Sequence, residues 1–144
     1  MYTFKTSRLF SVAPEAVFAA LSSPERLARW WGPDGFSNRF ENFEFKNGGV
    51  WRFTMHGPDG SNYLNESVFA SIEPNRGVVV QHLSQPHFTL SIRLEPHATG
   101  TIVSWEQTFE SAEVAASVKH IVEPANEQNL SRWQAEVDEF GRGA

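Results

Sequence analysis

No cysteine occurs among the 144 residues, so disulfides, thiolate metal sites, iron–sulfur clusters and a cysteine nucleophile are all excluded. Positive charge is scarce as well. Twelve basic against 17 acidic side chains leave a net charge of −5, and without a basic stripe to displace counterions from phosphates no nucleic-acid partner is expected. No apolar run approaches the roughly 20 residues of a membrane span, and the N-terminus lacks a signal-peptide pattern, so no membrane association and a cytoplasmic location are expected. Also missing are a Gly-x-Ser-x-Gly elbow, a phosphate-binding glycine-rich loop and a dinucleotide fingerprint. The five histidines show no metal-ligand spacing, so neither a metal nor a cofactor is expected. No linker or low-complexity segment divides the chain, and residues 1–144 fit one domain with one core.

Aromatic rings are what the chain has in quantity. Five Trp, twelve Phe and two Tyr make up 13% of it. Each such ring removes about 150–250 Å² from water when buried, so together they either pack a dense core or line a cavity.

The apolar spacing predicts a first strand over Tyr2–Phe10 and a helix within Ser11–Leu21, with Pro14 in its first turn and Val17, Phe18 and Leu21 on one face. A second short helix restarts at Ser22-Ser23-Pro24-Glu25, carries Leu27, Ala28, Trp30 and Trp31, and ends at Gly32-Pro33-Asp34-Gly35. From Phe36 to Phe109 two-residue alternation predicts strands at Phe36–Phe45, Val50–Met55, Tyr63–Ile72, Gly77–Leu83, Phe88–Leu94 and Thr101–Phe109. A phase slip between Phe40 and Phe43 suggests a bulge. Ser111–Phe140 reads as a capped amphipathic helix in which Pro124 predicts a kink, or a break into two helices. Consecutive hairpins make a strongly twisted sheet, and one long helix is the economical cover for its apolar face.

The stretches Phe10–Leu21, Trp30-Trp-Gly-Pro33, Gly48–Gly60, Val103–Phe109 and Pro124–Leu130 together resemble the helix-grip superfamily of START, birch-pollen-allergen-like and polyketide-cyclase-like proteins. The likeness is to the branch named after the activator of heat-shock-protein-90 ATPase. It implies an α+β helix-grip (START-like) fold: a curved antiparallel sheet of about seven strands wrapped round a long C-terminal helix, with two short helices after the first strand. It also implies a hydrophobic cavity between sheet and helix. By that analogy and by strand phase, the cavity-facing residues are Trp31, Phe53, Met55, Leu64, Glu66, Val68, His82, Phe88, Leu90, Trp105, Gln107, Phe109, Asn126, Leu130 and Trp133.

Polar residues on an inward phase carry the functional information, because burying one without a partner costs about 1–3 kcal/mol. Gln107, between Trp105 and Phe109, either bonds a neighbouring side chain or waits for a ligand or water. Glu66 is either a buried carboxyl with a raised pKa, able to act as an acid or base, or a scaffold partner of Arg52. His82 and His87 are either candidates for proton transfer or simply hydrogen-bonded; His56, His97 and His120 read as surface residues. Asn126 and Asn129 either meet a ligand or satisfy backbone freed by Pro124. No catalytic residue is assigned, Glu66 and His82 being the candidates. The expected function is binding of a small apolar or aromatic molecule by a monomer or homodimer. The alternatives are a cyclase-like or hydratase-like enzyme using the same cavity, and a co-chaperone-like interaction domain. The last is disfavoured because the chain leaves no room for the extra N-terminal domain of eukaryotic co-chaperones.

Overall fold

A computed structural model describes the backbone of residues 1–142. In chain order the elements are β1 (Tyr2–Phe10), α1 (Pro14–Ser22), α2 (Pro24–Trp30), β2 (Ser37–Phe43), β3 (Val50–His56), β4 (Asn62–Glu73), β5 (Gly77–His82), β6 (Phe88–His97), β7 (Gly100–Phe109) and α3 (Ala112–Arg142). All seven strands form one antiparallel sheet in the order β1-β7-β6-β5-β4-β3-β2. The hairpins from β2 to β7 are sequential neighbours, whereas the α1–α2 pair carries the chain from one edge of the sheet to the other. The predicted bulge falls between Phe40 and Asn42 of β2, and β4 carries a second between Phe69 and Ser71. Both sharpen the curl that lets the sheet grip α3. No helix among the described residues is long and apolar enough to cross a membrane.

Local chemistry sets the helix ends. Pro14 opens α1, where a missing N–H costs nothing. Ser23 caps α2 by accepting from the Arg26 N–H (3.4 Å), and Ser111 Oγ accepts from the Val114 N–H (3.0 Å) at the start of α3. The break allowed for at Pro124 does not occur: α3 runs through it as one helix. Packing on both sides holds it. Ala115 is buried against Phe4 and Phe109 before the proline, and Asn126, Leu130, Trp133 and Val137 are buried after it. Burial of that length outweighs one lost backbone hydrogen bond.

A cluster of stacked rings lies where α1, α2, β1 and the second half of α3 meet. Trp30 and Trp133 stack with centroids 4.6 Å apart and planes at 6°, and Phe10 meets Trp133 edge-on at 5.5 Å. Both indoles have hydrogen-bond partners: Trp30 Nε1–H donates to Ala20 O (3.0 Å) and Trp133 Nε1–H to Val17 O (3.2 Å). Trp51 lies parallel to Phe69 across β3 and β4 at 5.5 Å. This half of the interior is filled by the protein's own rings. The other half is not.

Candidate functional site

Between the concave face of β3–β7 and the middle of α3 lies a cavity of about 720 Å³. Strand phase determines its walls: Trp105 and Gln107 enter from β7, Phe88 and Leu90 from β6, Val80 and His82 from β5, Asn65 and Ser67 from β4, Phe53 and Met55 from β3. Helix α3 contributes Ile121, Val122, Ala125, Asn126 and Asn129, at the three- and four-residue spacing of one helical face. The Trp31-Gly32-Pro33 turn closes one end. Exposed Tyr63, Leu64 and Ile121 stand at the mouth.

That turn is held from α3. Gly32, at φ +98°, adopts a conformation that residues with a side chain rarely take, and its N–H donates to Asn129 Oδ1 (2.8 Å). The Arg132 guanidinium donates to the carbonyls of Arg29 (2.9 Å), Trp31 (3.3 Å), Gly32 (2.8 Å), Pro33 (2.7 Å) and Phe36 (3.0 Å). Trp31 is thereby set edge-on against Trp51 (4.9 Å) and tilted against Trp105 (5.8 Å), at the junction between solid core and cavity.

Of the residues expected at the site, Trp31, Phe53, Met55, Leu64, His82, Phe88, Leu90, Trp105, Gln107 and Asn126 line this one cavity. Five others do not. Leu130 and Trp133 are fully buried in the solid core, and Phe109 packs with Phe4 and Ala115 in a separate small cluster. Glu66 and Val68 lie on the opposite phase of β4, whose buried members are Ser67 and Phe69. Glu66 sits across from Arg52 on β3, and the two form an exposed ion pair at 3.6 Å. Its alternative as a surface scaffold partner is the one realised. Sequence reasoning missed Asn65 and Ser67 because polar residues on a strand read as solvent-facing. It missed Arg132 because nothing in a helical pattern announces which carbonyls an arginine will reach.

Two buried side chains on the cavity wall carry a polar atom that is not used. Gln107 is buried and its Oε1 has no hydrogen-bond partner, and the same holds for Nε1 of Trp105. Asn126 is buried on the same wall. Asn129 is occupied: besides accepting from Gly32 it donates from Nδ2 to Ala125 O (3.3 Å), in the turn that follows Pro124.

His82 is engaged at both ring nitrogens. Nδ1 lies 2.9 Å from Pro86 O, Nε2 lies 2.7 Å from Asn65 Oδ1 and 3.3 Å from Ser84 Oγ, and the ring stacks on Phe88 at 4.4 Å. Burial pushes its pKa down, more strongly than the neighbouring backbone hydrogen bonds pull it up. The unfolded chain therefore takes up this proton at a higher pH than the folded one. Stability is complete above the ordinary imidazole value of about 6.5 and falls as pH drops below it towards the lowered folded value. Urea midpoints measured across that interval should show the fall, and His82→Gln should flatten it; an unchanged slope in the variant would place the titrating group elsewhere. Among the described residues no group of three or more His, Asp or Glu side chains is arranged to hold a metal ion.

The family model described as Activator of Hsp90 ATPase homolog 1-like protein matches residues 11–138. A protein from Arthrobacter aurescens, solved by NMR, is 25% identical and superimposes with a TM-score of 0.88, over 95% of this chain and 86% of its own. A Nitrosomonas europaea crystal structure is 16% identical at a TM-score of 0.87, over 96% and 95% of the two chains. The AHSA1 protein from Silicibacter pomeroyi is 22% identical at 0.79, over 96% and 99%. No curated protein matches.

Proposed function

The chain belongs to the Activator of Hsp90 ATPase homolog 1-like family, and we propose that within it this protein is a non-catalytic binder of a small hydrophobic or aromatic molecule. The observation that carries this proposal is the cavity of about 720 Å³ whose wall holds buried polar groups without protein partners. Ligand sites typically run from about 300 to 1,000 Å³, mostly apolar with a few polar anchors. A folded protein gains nothing from leaving such groups unpaired, so a guest that completes them supplies a reason for the arrangement. Neither acid–base candidate favours chemistry here: Glu66 is on the outer face in an ion pair, and both nitrogens of His82 face protein oxygens.

Native mass spectrometry of the purified protein, followed by solvent extraction of whatever is retained, tests the proposal. A small apolar molecule released on denaturation, or failing that a raised melting temperature with apolar aromatic compounds, is expected. A protein that carries nothing and shifts with none of them does not use the cavity for binding.

A further inference from the structure

Resting on that proposal, we infer that the cavity selects an uncharged aromatic or polycyclic molecule bearing a hydroxyl or carbonyl group, which Gln107 and Asn126 recognise, and rejects the corresponding carboxylate. No Asp, Glu, Lys or Arg is among the residues that line it. Arg132, which reaches the turn at one end of it, has both terminal nitrogens committed to carbonyls of residues 29–36. The acidic side chain next to Asn126 in sequence, Glu127, is held by Arg8 (3.1 Å) and Thr6 on β1, away from the cavity. His82 also lines the wall, but burial pushes its pKa down and its ring nitrogens face Pro86 O and Asn65 Oδ1, so a ligand carboxylate, phosphate or ammonium would leave water without a counter-ion to meet it. That desolvation outweighs what neutral amides return.

Something polar on the guest is nonetheless called for. Gln107 on β7 and Asn126 on α3 present carboxamides from opposite walls, and Oε1 of Gln107 is buried without a partner. An amide both donates and accepts, so it matches a hydroxyl in either sense and a carbonyl through its NH₂. A plain hydrocarbon would occupy the apolar walls but leave the Gln107 oxygen unpaired, and a site built with such a group discriminates against the analogue lacking the partner.

The test uses pyrene, 1-hydroxypyrene and 1-pyrenecarboxylate at neutral pH, followed by energy transfer from the protein's tryptophans. Hydroxypyrene should bind roughly tenfold more tightly than pyrene, the size of one net hydrogen bond, and pyrenecarboxylate more weakly than either. Gln107→Leu and Asn126→Leu, each checked for native circular dichroism, should bring hydroxypyrene close to the affinity of pyrene and leave pyrene itself unharmed. Having two variants keeps the test open if one fails to fold. Equal or tighter binding of the carboxylate, or a hydroxyl preference that survives both substitutions, overturns this inference while leaving the cavity as a binding site. Binding of none of the three overturns the proposed function itself.

Discussion

Arg132→Leu should lower folding stability by about 3 kcal/mol, read as a fall in the urea midpoint with an unchanged slope. The guanidinium is the shared donor for five carbonyls between Arg29 and Phe36. Leucine preserves the aliphatic contact but leaves those acceptors to water or to nothing, and each one that stays buried and unpaired costs about 1–3 kcal/mol. Arg132→Lys should recover only part of the loss, because one ammonium cannot span acceptors spread over eight residues as a planar fork does. Hydrogen exchange should locate the damage in the Trp31-Gly32-Pro33 turn. A loss under about 1 kcal/mol would mean that the guanidinium holds the turn no better than a solvated surface charge does. The consequence reaches the cavity, since the turn that Arg132 and Asn129 fix is what sets Trp31 against Trp51 and Trp105.

This division of labour explains which parts of the molecule could be read from sequence. The strands and helices were legible because inward positions mostly alternate regularly and are buried: Thr101, Val103, Trp105, Gln107 and Phe109 alternate without a fault along β7, in solid core and on the cavity wall alike. The apolar-in rule holds only where there is protein to pack against. On β4 the inward phase borders the cavity at Asn65 and Ser67, while the other phase reads Leu64, exposed at the mouth, then Glu66, Val68 and Ala70. The more apolar phase is therefore the wrong one, and it carries Glu66 to the outer face. Leu130 and Trp133 fail as site residues for a different reason. The helix stripe is continuous, and nothing in its periodicity marks where the guest space ends and the stack of Trp133 on Trp30 begins.

The boundary between filled and unfilled interior is also where the second large effect is expected. Ala125 lies on the cavity side of α3, between Val122 and Asn129 on the lining face, and its methyl group leaves the space beside it open. Ala125→Trp should place an indole in that space and weaken binding of any cavity ligand by at least about a hundredfold, or roughly 2.7 kcal/mol. The melting temperature should hold or rise, because the new ring occupies a void without displacing packed side chains. Ala116→Trp, on an exposed position of the same helix, controls for the added aromatic and should bind normally. Stability and affinity moving in opposite directions in one variant, and neither moving in the other, is the signature of a hollow kept open for a guest. Retained affinity in Ala125→Trp would move the site out of this cavity. Another hollow, of about 340 Å³, shares the His82–Phe88 stack and is bordered by Met1, Gln81, His87 and Glu110. A carboxylate and a second imidazole on its wall would favour a charged guest there, so the charge preference of the bound molecule distinguishes the two locations.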